Sequence, residues 1–147
     1  DSLLESYAGG GRFRFDPHIN TTDSLLDADI MISEWSGAPL EYAFARERPV
    51  IFIDTEPKVH NANFHRIGMP LLEDEIRTQI GMLVAPDDLS AIPGAVRSLV
   101  AEADAWAPRI REVRDRCVFN VGHSGEVGAK VILETLAEMR ESGAAGV

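Results

Sequence analysis

Short apolar runs alternate with amphipathic segments along most of the chain. Two runs, "DIMIS" at 29–33 and "PVIFI" at 49–53, are continuous, which is typical of strands buried on both faces. "MLVA" at 82–85 predicts a third strand, and the alternation of "RFRF" at 12–15 predicts another. The pattern therefore predicts four strands.

Helical periodicity fills the intervals between these runs. It predicts helices over 2–8, 21–28, 37–46, 71–81, 87–103, 108–117 and 125–141. Pro108 would start the sixth of them. Ser124 would cap the last, whose apolar face would consist of Val127, Val131, Leu133, Leu136 and Met139.

Alternating strands and helices with short connections predict an α/β protein with a Rossmann-like parallel sheet and helices on both faces. Four strands are fewer than a doubly wound domain usually has. Because the chain also starts on Asp1, we expect a single domain, residues 1–147, cut from a longer protein and truncated on its N-terminal side.

Composition excludes several classes of function. The chain has 147 residues, 45% of them hydrophobic, and a net charge of −10. This acidity argues against a nucleic-acid partner and against attachment to an anionic membrane surface. Cys117 is the single cysteine, so an intrachain disulfide is impossible, and a cytoplasmic protein is expected. We find no apolar run that would span a bilayer.

The stretch from Ser33 to Glu41 would place small polar residues between a buried strand and a helix. In a doubly wound sheet, ligands bind at the carboxyl ends of the strands. Ser36 and Gly37 would open the helix, where free N–H groups and the helix dipole favour a phosphate or diphosphate. Glu41 could accept hydrogen bonds from a ribose diol, and Trp35 offers a flat ring. The alternative is purely structural, with a cap, a turn, a core ring and surface charges.

The segment "DADIMISEWSGAPLEYAFARERPVIFID" at 27–54 resembles the donor-nucleotide half of a GT-B glycosyltransferase. The likeness is strongest to the CDP-glycerol glycerophosphotransferase family, whose members show "aDvlITDYSSxxxDyxxxxkPvifyxxD". It covers roughly residues 13 to 60. Along this motif, the residues in the family's positions are Ser33, Glu34, Trp35, Ser36, Gly37, Glu41, Tyr42, Pro49 and Asp54.

Five of these residues depart from the family's motif, among them Ser33 in place of threonine and Trp35 in place of tyrosine. Glu34 and Glu41 replace aspartates, and Gly37 replaces a serine. "SGAPLEYA" is equally similar to the turn of the lipid II glycosyltransferase and to sugar-nucleotide 2-epimerases. A nucleotide diphosphate is common to all of them, whereas the base and the transferred group differ.

The resemblance implies a donor-binding domain of a transferase that moves a glycerol-phosphate or glycosyl group in cell-envelope polymer synthesis. The donor would be CDP- or UDP-linked and bound without a metal or other cofactor. Its diphosphate would contact Ser36 and Gly37, its ribose Glu41, and its base Phe15, Asp16 and Pro17. The acceptor site and the general base would belong to an N-terminal domain of the same protein. Any association of the protein with the inner face of the membrane would also occur through that domain.

Histidines provide weaker candidates for the same site. His60 and His65 share a loop with Asp54 and Glu56, but their spacing fits no tight zinc pattern. By family likeness His65 would contact the donor. "NVGHSG" at 120–125 is a second possible phosphate cradle without a P-loop ending, and it adds His123 and Ser124 as donor contacts.

Other classes of function stay open or are disfavoured. "VIFID" also resembles the phosphoacceptor strand of a receiver domain, but Lys58 and Lys130 do not fit the receiver's lysine. No nucleophile elbow surrounds Ser36, and Cys117 is expected to pack. The alternatives to a transferase are half of a UDP-sugar 2-epimerase and a non-catalytic Rossmann-like assembly module, which would expose an apolar patch.

Overall fold

The computed structural model describes residues 2–7, 11–17, 22–57, 61 and 63–144. Within these ranges the chain is an α/β protein with one three-stranded sheet. The strands are β1 Met31–Ser33, β2 Val50–Ile53 and β3 Gly81–Val84. The helices are α1 Ser2–Tyr7, α2 Thr22–Asp27, α3 Ala38–Arg46, α4 Leu72–Ile80, α5 Ile92–Ala101, α6 Ala103–Cys117 and α7 Ser124–Ala144, with 3-10 turns at Phe64–Ile67 and Leu89–Ala91.

The sheet is parallel throughout and has the strand order β1-β2-β3. Val50, Ile51 and Phe52 of the central strand are all buried. Because consecutive residues of a strand point to opposite faces, both faces of β2 are covered. Helix α3 packs on β1, α4 on β3, and α5 on β2 and β3, while α6 packs on α3, α4 and α5. The parallel α/β class predicted from the sequence is confirmed.

The predicted strand at 12–15 is wrong. Residues 13–17 pair with no strand among the described residues. Their polar side chains contact α2 instead: Arg14 Nη2 donates to Ser24 Oγ at 3.3 Å, and Ser24 Oγ donates to Asp16 Oδ2 at 2.5 Å. The alternating pattern is too short and too highly charged to define a sheet position without a partner strand.

The prediction that Pro108 starts a helix is also wrong. Helix α6 begins at Ala103, and Pro108 lies inside it. Trp106 and Ile110, on either side of the proline, are both buried. Their packing holds the helix together although the proline removes a backbone hydrogen bond, so tertiary contacts override local preference here.

Helix α7 begins at Ser124, one residue earlier than predicted. The carbonyl of His123 accepts the Val127 N–H, which puts His123 and not Ser124 at the cap position. The apolar face expected on this helix is exposed, at Val127, Val131, Leu133, Leu136 and Met139. No helix in the described residues has the length and apolarity needed to cross a membrane.

Three side chains hold the carboxyl end of α3. Glu47 adopts a left-handed backbone with φ of 52°. Arg111 donates to Glu47 Oε2 at 2.5 Å and Arg114 to Glu47 Oε1 at 3.1 Å. The hydrogen bond from Arg111 is the main cause that lowers the pKa of Glu47. This contact fixes α3 against α6, and so fixes the helix that follows β1.

Gly81 allows β3 to approach β2 closely. A Cβ at this position would lie 1.9 Å from the Val50 carbonyl oxygen, a distance that requires backbone movement. We therefore expect Gly81→Ala to lower the free energy of unfolding by about 3 kcal/mol or more. Urea unfolding followed by circular dichroism measures the change.

Gly94→Ala is the matched control, because a Cβ on this exposed residue of α5 meets no atom within 4 Å. Alanine is the better helix former, so this variant should gain about 0.5–1 kcal/mol. Equal effects of the two substitutions would contradict the close approach of β3 to Val50.

Candidate functional site

The turns that follow β1 and β2 leave the sheet at the same edge. Ser33, the last residue of β1, is in register with Phe52, so residues 34–37 lie beside the segment that follows β2. The Asp54 N–H donates to the Val84 carbonyl at 2.9 Å, which ties this segment to β3 as well. The sheet thus gathers the predicted phosphate turn and Asp54 at one edge.

The N-terminus of α3 has fewer free N–H groups than the sequence suggested. Gly37 occupies the cap position, and its carbonyl accepts from the Leu40 and Glu41 N–H groups at 3.1 and 3.2 Å. The Ala38 N–H donates to Ser36 Oγ at 3.3 Å, and Pro39 has no N–H. An anion at this turn would therefore depend on Ser36 and Gly37 rather than on a row of helical amides.

Gly37 has a backbone that any residue can adopt. Its φ of −70° and ψ of −28° are right-handed helical values. A Cβ built on it meets no atom within 4 Å. Nothing in the described chain therefore requires glycine at this position.

Trp35 and Arg77 form the interior of the site. The Arg77 guanidinium lies over the Trp35 ring, with its central carbon 3.9 Å from the ring centroid. Arg77 Nη2 also donates to Asp54 Oδ1 at 2.6 Å, and Trp35 Nε1 donates to the Thr55 carbonyl at 2.6 Å. These contacts join the turn after β1, the segment after β2 and helix α4.

Glu41 and Tyr42 are neighbours in the motif but lie in different surroundings. Glu41 is exposed in the first turn of α3. Tyr42 is buried, and its hydroxyl donates to the Ala28 carbonyl at 3.0 Å. Burial is the main cause that raises the pKa of Tyr42, so the hydroxyl stays protonated near neutral pH and serves as a structural donor.

The other predicted residues are more scattered. Ser33 and Glu34 are half-buried at the end of β1. His65 belongs to the 3-10 turn Phe64–Ile67, but its side chain lies outside what the structure describes, as does all of His60. The contacts of His123 are local, with its Nδ1 3.7 Å from Glu126 Oε2, and Ser124 is exposed beside it.

Arg77 is the residue that sequence inspection missed. It lies in "LEDEIRTQI", where the charged residues around it suggest a solvated helix face. Its spacing was the available signal, because Arg77 follows Ile76 directly and precedes Ile80 by three positions, which places it at the edge of the apolar stripe.

Two features bear on possible ligands. An open cavity of about 540 Å³ is lined in part by Phe15, Asp16 and Pro17, the residues proposed for the base. Among the residues that the structure describes, no group of three or more histidine, cysteine, aspartate or glutamate side chains is arranged to hold a metal ion.

Comparisons of this chain with protein-family models, curated proteins and solved structures found no match. The fold by itself defines the class of protein: an α/β protein with a parallel sheet and a polar turn at the carboxyl edge of that sheet. Any narrower assignment depends on the residues of that turn.

The open surroundings of Gly37 lead to a prediction about stability. Gly37→Ala should leave the free energy of unfolding unchanged or raise it by about 0.4–1 kcal/mol, because alanine restricts the unfolded chain without a clash in the folded one. Urea unfolding of the two proteins tests this. A loss of more than about 1 kcal/mol would show that the turn itself needs glycine.

Proposed function

We propose that this chain is the nucleotide-diphosphate-donor-binding domain of a GT-B transferase similar to CDP-glycerol glycerophosphotransferases. It would serve the transfer of a glycerol-phosphate or glycosyl group in cell-envelope polymer synthesis. The main supporting observation is the exposed turn at the carboxyl edge of the parallel sheet, where Ser36 and Gly37 precede α3.

The Ser36 hydroxyl is suited to bind a phosphate oxygen. Its oxygen already accepts the Ala38 N–H, so its own proton points elsewhere and can be donated to an anion. The start of the nine-residue helix α3 adds a partial positive charge. A diphosphate at this turn would contact the hydroxyl and the backbone of Gly37 together.

The glycine at 37 supports a close approach by a ligand. Because the fold tolerates a side chain there, a requirement for glycine would come from something outside the chain. A diphosphate that lies against the Gly37 backbone would require glycine there, since the methyl group of an alanine would occupy the place of the diphosphate.

Glu41 lies where a ribose could reach it. It is four residues beyond Gly37 and therefore about one helical turn away on the same side of α3. It is exposed and takes part in no ion pair with the described residues. Its carboxylate is free to accept hydrogen bonds from two neighbouring hydroxyl groups.

The exposure of the edge strand β1 supports the proposal that the domain has further strands upstream. Ile32 of the edge strand β1 is 47% exposed, although its run of residues is typical of a strand buried on both faces. In our proposal, further strands and an acceptor-binding domain belong to the N-terminal part of the same protein, and the donor is CDP- or UDP-linked.

A second candidate function is a non-catalytic assembly module. It is favoured by α7, on which Ile132 is 61% and Met139 65% exposed. Contiguous exposed apolar side chains of this kind are typical of protein interaction sites. An assembly module would bind no nucleotide, so the experiment below separates the two functions.

The donor-binding function predicts selective binding of one nucleoside diphosphate. Calorimetric titration of the chain with CDP, UDP, GDP and ADP, without metal, should show saturable binding of CDP or UDP. Glu41→Ala should weaken that binding by at least about tenfold through loss of the ribose contact, and Gly37→Ala should weaken it by obstructing the diphosphate.

Asp104→Ala is the matched control, because Asp104 is an exposed acid in the first turn of another helix, α6. It should bind the nucleotide as the parent protein does. Absence of binding by all four nucleotides would contradict the donor-binding function. Binding that Glu41→Ala leaves unchanged would remove Glu41 from the ribose site.

A further inference from the structure

Arg77 is a charged side chain in the protein interior. It projects from α4 and is only 7% exposed. Its ion pair with Asp54, 2.6 Å between Nη2 and Oδ1, joins it to the segment after β2. Burial of an arginine costs folding free energy unless the charge is paired. The presence of Arg77 at the carboxyl edge of the sheet therefore needs a physical reason.

Among the described residues, the guanidinium makes two kinds of stabilising contact. It bonds to Asp54, and it lies against the rings of Trp35 and Phe52, 3.9 and 5.8 Å from their centroids. Its Nε and Nη1 are buried without a hydrogen-bond partner in the described chain. The ring of Trp35 is therefore a principal support of the guanidinium, and the guanidinium in turn fixes the ring.

Trp35 is also held at its other end. Its Nε1 donates to the Thr55 carbonyl at 2.6 Å, so the indole bridges α4 and the segment after β2. The next two residues along the chain are Ser36 and Gly37. A displacement of the indole that shifts the Trp35 backbone would move the Ser36 hydroxyl and the Gly37 backbone with it.

We propose that Arg77 is a positioning residue for the turn from Trp35 to Gly37. It sets the indole against the edge of the sheet and thereby sets the geometry of the hydroxyl and backbone that follow. Its effect on nucleotide affinity rests on the proposed donor-binding function, whereas its effect on the indole does not.

Arg77→Lys tests this inference, because lysine keeps the charge but lacks the planar group that stacks on a ring while bonding to a carboxylate. The emission of Trp35 is isolated by subtracting the spectrum of a matched Trp35→Phe protein, which removes the contribution of Trp106. We expect Trp35 emission to move to longer wavelength and its quenching by acrylamide to increase in Arg77→Lys.

Arg109→Lys provides a control of the same chemistry. The Arg109 guanidinium lies 4.3 Å from the centroid of the other tryptophan, Trp106, and both residues belong to α6 and not to the turn. This variant should leave the Trp35 signal unchanged. Cooperative urea unfolding and the far-ultraviolet dichroism confirm that each variant is folded.

Asp54→Asn is the second variant, used if Arg77→Lys does not fold. This substitution weakens the ion pair that anchors the Arg77 guanidinium, at an Asp54 side chain that is 43% exposed. It should shift Trp35 emission in the same direction as Arg77→Lys does, by a smaller amount. An unchanged Trp35 signal in the folded variant would overturn the positioning role.

Nucleotide titration gives the second readout. If the parent protein binds CDP or UDP, Arg77→Lys should bind it about tenfold more weakly, and Arg109→Lys should bind it normally. Equal affinities of Arg77→Lys and the parent would overturn the link from Arg77 to the turn. If the parent binds no nucleotide, the donor-binding function fails, and the Trp35 signal alone decides whether Arg77 positions the turn.

Discussion

The rest of the sheet depends on the burial of β2 between its two neighbours. Val50, Ile51 and Phe52 are buried on both faces of the strand, and Gly81 lets β3 approach the Val50 carbonyl. This packing fixes the register in which Ser33 lies beside Phe52. The polar turns that follow β1 and β2 therefore meet at one edge. A functional turn after β1 could not be positioned without this buried strand.

The site combines opposite electrostatic requirements. The chain has a net charge of −10, yet the proposed ligand is an anion. The proposed site would reconcile them locally, because Ser36 and the start of α3 offer neutral donors and a dipole. Arg77 provides a buried cation whose charge is balanced by Asp54. In such an arrangement binding strength comes from placing a few polar groups accurately, so a residue that positions the turn influences affinity without touching the ligand.

Sequence periodicity predicted the parts of the fold that local pattern determines. The apolar runs at 31–33, 50–53 and 81–84 form strands, and most helices were found within a few residues of their predicted bounds. Burial on both faces was wrongly expected for the first run, because Ile32 is 47% exposed. The errors have non-local causes. Among the described residues, "RFRF" has no partner strand, Pro108 is held inside α6 by Trp106 and Ile110, and the apolar side chains of α7 are exposed. The Arg77–Trp35 contact joins residues far apart in sequence, so spacing along one helix gave only a hint of it.

Two-dimensional ¹H–¹⁵N spectra of the chain during titration with CDP and UDP test the central claim most directly. The claim places the diphosphate against the turn before α3. It therefore predicts that the amide signals of Ser36 and Gly37 shift the most and saturate together, with smaller shifts at Trp35 and Glu41. Shifts confined to other parts of the chain, or none at saturating nucleotide, would contradict the claim that this turn binds a nucleotide diphosphate.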